Sequence, residues 1–144
     1  MSKNLTFIIC LLATIGGYTQ SSASVFFKET SGVKFAVEKI QKSLMSQGYT
    51  VRLNENIGRS SKTENVNIFL TGVQNKTWIK SITDVAPPSP LGLEAEGFNI
   101  QRTKGKDATT IFVVANDQAG LMYGGLELAE ILKFNGINFQ EKKW

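Results

Sequence analysis

The amino-acid sequence predicts an α+β sandwich, in which a four- to five-stranded mixed sheet is covered by two amphipathic helices. Two stretches carry apolar residues at the 3.6-residue period of a helix, and short apolar runs of strand length lie between them. Helices that bury one face against a sheet of this width form two layers around a single core. The predicted order is a first strand, a helix, four strands and a second helix.

The first part of this order begins with a short apolar run, Val25–Lys28, which indicates a first strand. A helix follows, with Ser31 as its N-cap and Gly48 just after its last turn, where glycine is favoured. The run Tyr49–Leu53 alternates and predicts the second strand. The helix is recognised by its periodic apolar positions, Val33, Ala36, Val37, Ile40 and Leu44.

The middle of the chain combines one clear strand with irregular stretches. The mostly apolar run Val66–Gly72 predicts a strand that is buried on both faces. Asn75–Ile82 is compatible with a short helix or with an irregular excursion. Ala86–Gly92 contains three prolines, which remove backbone donors and fix the backbone, so we expect no regular structure there.

The last part of the chain predicts a hairpin followed by a helix. The runs Gly97–Thr103 and Thr109–Ala115 are separated by five residues that include a glycine, as in an antiparallel hairpin. The second helix is expected over Asp117–Phe134, and Gly136 follows its end.

The N-terminal segment, residues 1–23, has the features of a secretory signal peptide. Lys3 precedes an apolar run, Leu5–Ile15, and Ser21 and Ala23 occupy positions −3 and −1 of a cut before Ser24. The alternative is a membrane anchor, but a bilayer span needs roughly 20 apolar residues and this run is shorter. We therefore expect a secreted or periplasmic protein with one domain, residues 24–144.

Composition excludes several kinds of chemistry. The chain has no histidine and one cysteine, Cys10, which lies in the predicted signal peptide. Ser-His-Asp and Cys-His catalysis, disulfides and cysteine-based metal sites are therefore excluded within the predicted domain, and we expect no metal and no cofactor. Basic residues are scattered and do not alternate with aromatic residues, so nucleic acid is not an expected partner.

The glycines of the second helix raise the question of a nucleotide site. A phosphate-binding turn needs its glycines in the turn between strand and helix, whereas Gly120, Gly124 and Gly125 lie within the predicted helix. Asp117 would also cap the helix N-terminus with a carboxylate, where a phosphate would otherwise bind. We therefore predict that the glycines bring this helix close to a neighbouring backbone and that no nucleotide binds.

Other candidate site residues are acidic or aromatic. Glu127 and Glu130 lie three residues apart on a helix, and Glu94 and Glu96 flank Ala95 in a loop. Paired acids are the catalytic groups of glycosidases, but surface glutamates are usually only solvated. Trp78 is a candidate sugar contact and is equally compatible with the core.

Two segments within residues 90–132 form a recognisable pattern, Leu-Gly…Glu-Gly-aromatic followed by Ala-x-Asp-x-x-Gly-x-x-Tyr-Gly. The matching residues are Leu91, Gly92, Glu96, Gly97, Phe98, Ala115, Asp117, Gly120, Tyr123 and Gly124. With this pattern, residues 90–132 resemble the non-catalytic N-terminal domain of secreted α-glucuronidases and related glycoside hydrolases. They are also similar to the small domain that precedes the barrel in β-N-acetylhexosaminidases.

The resemblance implies an α/β domain that contributes no catalytic residue and that packs beside a (β/α)₈ catalytic barrel or beside other polysaccharide-utilisation proteins. Such a barrel typically needs about 250 residues, more than the 144 of this chain. We therefore expect an accessory domain without its barrel, either as a stand-alone copy or as a fragment. An independent sugar- or protein-binding module is the alternative, and a small hydrolase using Glu127 and Glu130 is a third.

Overall fold

A computed structural model describes residues 20–28, 30–55, 64–72, 79, 83, 85–89, 92–140 and 142–143 of the chain. The predictions for residues 1–19 and for Trp78, and most of those for 75–82, lie outside the described residues. The described strands are β1 Ser22–Phe26, β2 Thr50–Asn54, β3 Val66–Gly72, β4 Phe98–Lys104, β5 Thr109–Ala115 and β6 Lys142–Lys143. The helices are α1 Ser31–Ser46, α2 Gln118–Asn135 and a 3₁₀ turn, Gly136–Asn138.

The strands form one mixed sheet in the order β2-β1-β3-β5-β4-β6. β1 pairs in parallel with β2 and β3, and β3 pairs in parallel with β5. β4 is antiparallel to both β5 and β6. The predicted α+β class is therefore confirmed, with five longer strands and a two-residue sixth.

Two predicted strands, β3 and β5, coincide with the observed bounds, and every residue of β5 is buried. β1 begins three residues earlier than predicted, at Ser22. Ser22 and Ala23 have little intrinsic strand propensity, and they join the strand because β2 pairs with both of them. β6 was not predicted, since two lysines carry no strand signal.

The helix ends follow the predictions in one case and depart from them in the other. Asp117 is the N-cap of α2, as predicted, and Gly136 ends this helix with a φ of 65°. The N-cap of α1 is Thr30 rather than Ser31, and its side chain makes no capping hydrogen bond. Gly48 follows α1 with a φ of 86°, a conformation that glycine adopts readily.

The principal core lies between the sheet and the two helices. It contains Val33, Ile40 and Leu44 of α1 and Leu128 and Leu132 of α2, together with alternate residues of the central strands. The helices also contact each other directly, because the Ser43 hydroxyl donates to the Ala129 carbonyl oxygen at 2.9 Å. One layer of two helices therefore covers one face of the sheet.

The opposite face of the sheet carries a row of three buried phenylalanines. Phe26, Phe69 and Phe112 occupy the same register position on β1, β3 and β5. The ring centroids are 4.6 Å apart between Phe26 and Phe69 and 5.3 Å apart between Phe69 and Phe112. Ile79 and Val85 pack against this row, so the central strands are buried on both faces.

Candidate functional site

The N-terminus of α2 is joined to the loop before β4 by one carboxylate. Asp117 Oδ1 accepts a hydrogen bond from the Gly120 backbone N–H at 2.8 Å, which caps the helix. Its Oδ2 accepts from the Glu96 backbone N–H, also at 2.8 Å. The bond from Glu96, followed by that from Gly120, holds the pKa of Asp117 below its ordinary value of 3.8. One carboxylate oxygen therefore caps the helix, and the other holds the loop on it.

The loop at this junction has an unusual backbone. Glu96 has a φ of 61°, in the left-handed region that non-glycine residues seldom adopt. The Gly97 N–H donates to the Glu94 carbonyl oxygen at 3.0 Å, so the chain turns tightly just before β4. The bond from Glu96 to Asp117 holds this turn against α2.

Gly120 is the point of closest approach between this loop and α2. A Cβ atom on Gly120 would lie 2.7 Å from the Gly97 carbonyl oxygen and 2.8 Å from that of Glu96. Both atoms belong to the backbone, so they have little freedom to move away. The predicted close approach to a neighbouring backbone is therefore observed at this position.

The other two glycines of α2 face side chains, contrary to the prediction that they face a backbone. A Cβ on Gly124 would meet Val113 Cγ1 at 2.7 Å and the Phe98 ring at 2.9 Å. A Cβ on Gly125 would lie 2.8 Å from the Ala36 Cβ of α1. Gly124 lies one turn beyond Gly120 on the same face of the helix, where the sheet side chains replace the loop, and Gly125 is rotated by about 100° from Gly124 toward α1.

A second feature, an open groove of about 540 Å³, lies between α1 and α2. Three lysines and one glutamate line it, so the groove is basic. Its lining residues are Lys39, Lys42, Ser43, Ser46, Leu126, Ala129, Glu130 and Lys133.

Exposed aromatic side chains flank this groove. Phe35 lies one turn before Lys39 on α1 and is 48% exposed, and the Lys39 ammonium lies 5.0 Å from its ring centroid. Tyr123 and Phe134 are 45% and 73% exposed and share a stripe of α2 with Glu130. We call the groove and its flanking aromatics the outer helix face: Phe35, Lys39, Lys42, Tyr123, Glu130, Lys133 and Phe134.

Comparison with protein-family models gives a match to the glycosyl hydrolase family 67 N-terminus over residues 14–128. The match spans most of the chain. This protein belongs to that family. A comparison with curated proteins gave no match. The N-terminal domain is the non-catalytic part of the family 67 α-glucuronidases and packs with a catalytic domain.

Most residues that carry the sequence resemblance meet at the junction of this family 67 N-terminal domain. Asp117 binds Glu96, Gly120 packs on Gly97, and Gly124 packs on Phe98. Tyr123 lies apart from them, exposed on the outer helix face. Each carboxylate oxygen of Asp117 accepts one backbone hydrogen bond, and these two bonds join the loop to the start of α2.

The candidate acid pairs of the family 67 domain lie in different surroundings. Glu94 and Glu96 are exposed beside the junction, and Glu127 is half-buried on α2. Glu130 lines the open groove, where its neighbours are lysines. Within the described part of the chain, no group of three or more acidic or cysteine side chains is arranged to hold a metal ion. None of the described helices is long and apolar enough to cross a membrane.

The outer helix face was missed by sequence reasoning. Phe35 and Phe134 interrupt the polar sides of their helices, which is a weak signal because single exposed aromatic residues are common. The lysines are separated by about 90 residues along the chain, and only the pairing of α1 with α2 brings them into one groove.

Proposed function

We propose that this chain is a secreted accessory domain of a carbohydrate-degrading system of the α-glucuronidase type. It packs against a (β/α)₈ catalytic barrel that lies outside this chain, and it supplies no catalytic group itself. The contact surface is the outer helix face. The observation that carries the proposal is the exposure of three aromatic side chains around a basic groove, on helices whose opposite sides already form the core.

The composition of the outer helix face fits a protein interface. Aromatic residues are enriched at the centres of protein interfaces, where they bury a large area at a small cost in side-chain entropy. Phe35 and Phe134 are also held in place by the adjacent ammonium groups of Lys39 and Lys133. The excess of lysine over glutamate in the groove favours an acidic partner surface.

The test is a binding titration with a family 67 catalytic barrel from which its own N-terminal domain has been removed. The variant Phe35→Gln/Tyr123→Gln/Phe134→Gln is expected to weaken binding at least tenfold, because a few aromatic anchors carry most of the binding energy of an interface and the loss of one such anchor costs about 2 kcal/mol or more. The matched control is Leu53→Gln, which alters an exposed apolar residue of β2, outside this face. Unchanged binding by the triple variant would rule out this surface.

An acidic glycan is a second candidate ligand for the same groove. Three lysines would attract the carboxylate of a uronic acid, and Phe35 and Tyr123 would offer ring faces to the sugar. Titration with a glucuronic-acid-bearing oligosaccharide and with its neutral counterpart separates this candidate from the first. Binding of the acidic sugar alone, lost in Lys39→Gln/Lys42→Gln, would favour the glycan.

A further inference from the structure

The first strand contains residues that the predicted signal-peptide cut would remove. A cut before Ser24 separates Ser22 and Ala23 from the rest of β1. Ala23 is fully buried and pairs with Val51 of β2 on one side and with Val66 of β3 on the other. The cut would therefore take two of five residues from a strand in the interior of the sheet.

Polar contacts also tie this segment to the domain. The Ser22 hydroxyl donates to Glu64 Oε2 at 2.7 Å and lies 3.0 Å from Asn65 Oδ1. Glu64 in turn pairs with Arg52 of β2 at 3.3 Å. One residue earlier, the Ser21 carbonyl oxygen accepts a hydrogen bond from the Thr50 N–H at 2.9 Å. Residues 21–23 thus fix the start of both neighbouring strands.

A new chain start at Ser24 would also place a charge in an unsuitable position. Ser24 is fully buried between β2 and β3. The cut would remove the residues that precede this nitrogen and would leave a charged ammonium group at a strand end between two neighbouring strands, where any desolvation of the charge is unfavourable.

The family match includes the whole of β1. It begins at residue 14, eight residues before the strand starts at Ser22. Ser22 and Ala23 therefore align with the family 67 N-terminus, as the rest of the strand does.

We propose that signal peptidase cuts this chain no later than the Thr19–Gln20 bond, so that the exported domain keeps the whole of β1. Gly17 and Thr19 supply small residues at −3 and −1 of that bond. The peptide bond is hydrolysed: water gives its hydroxyl to the Thr19 carbonyl carbon and a proton to the Gln20 nitrogen. This inference rests on the proposed secretion.

The first experiment expresses the full chain with a C-terminal tag in a bacterial host and determines the N-terminus of the exported protein by intact mass and N-terminal sequencing. We expect a start at Gln20 or upstream of it. A start at Ser21 or at any later residue in a folded exported protein, Ser24 included, would overturn the inference. A full-length chain retained in the cytoplasm would overturn the proposed secretion instead.

The second experiment tests whether the folded domain needs the first residues of β1, and its result does not depend on whether the native N-terminal segment directs export. A signal peptide with a known cut replaces the N-terminal segment, so that the released chain begins at Gln20 or at Ser24. A chain that begins at Tyr18 is the matched control, and we expect it to have the same melting temperature as the Gln20 form. We expect the Ser24 form to melt at a clearly lower temperature or to lose its cooperative transition. Equal melting temperatures for the Gln20 and Ser24 forms would overturn the inference.

Discussion

The junction at Asp117 and the outer helix face differ in what their residues contact. At the junction, one carboxylate oxygen of Asp117 accepts from the loop before β4, the other accepts from Gly120 of α2, and Gly120 packs on the loop backbone. On the outer helix face, Phe35 and Phe134 are 48% and 73% exposed, and the lysines between them line an open groove. The difference separates residues that hold the domain together from residues that are available to a partner.

The largest expected effect contrasts a buried phenylalanine with an exposed one. Phe69 is fully buried and stacks between Phe26 and Phe112, so Phe69→Ala should lower the free energy of unfolding by about 3–5 kcal/mol. Phe134 is 73% exposed, and Phe134→Ala should change it by less than about 0.5 kcal/mol. Urea unfolding of the two variants measures both values. If the two variants lost similar free energies of unfolding, the distinction between the buried phenylalanine row and the outer helix face would be wrong.

A smaller effect is expected where α2 meets the loop. Gly120→Ala places a methyl group 2.7 Å from the Gly97 carbonyl oxygen, and overpacking of this kind costs about 1–3 kcal/mol. Alanine's better helix propensity offsets roughly 1 kcal/mol of this loss. Gly72→Ala is the control, because no described atom lies within 4 Å of its added Cβ. The comparison fails if Gly120→Ala unfolds at the same denaturant concentration as the parent chain.

The carboxylate of Asp117 should add a pH-dependent contribution to stability. Its pKa is lowered in the folded chain, so the contribution is fully present above the ordinary value of 3.8 and is lost as the pH falls through the lower folded value. In Asp117→Asn, the side-chain oxygen still accepts one of the two backbone hydrogen bonds, from Glu96 or from Gly120. The side-chain NH₂ group then faces the other backbone N–H, and two donors cannot bond to each other. We expect the parent chain to be more stable at neutral pH and the gap to narrow below about pH 3.8.

Unfolding the two proteins at a series of pH values gives this gap directly. The other carboxylates are common to both chains, so their titration cancels in the difference. A gap that stays constant down to the lowest pH at which both chains fold would show that the charge of Asp117 does not stabilise the junction.

Sequence reasoning was most successful where local pattern and tertiary burial agree. β3 and β5 are long apolar runs, and their bounds follow from the sequence. The start of β1 does not follow from the sequence, because Ser22 and Ala23 join the strand only by pairing with the neighbouring strands β2 and β3. The cap at Asp117 was predictable from its position before a helix, whereas its second bond, to Glu96, joins residues 21 positions apart.

The outer helix face was unpredictable for a related reason. Its residues come from two helices that are distant along the chain, and each helix alone shows only an isolated aromatic residue among polar ones. The groove exists because the helices lie side by side, a relation that is set by contacts such as Ser43 with Ala129.

The most direct test of the central claim is hydroxyl-radical footprinting of the chain with and without a family 67 catalytic barrel. Phe35, Tyr123 and Phe134 are exposed in the isolated domain and should be labelled there. Saturating barrel should protect these three side chains, while Leu53 of β2, which is 38% exposed, should stay labelled. Continued labelling of all three in a saturated complex would contradict the claim.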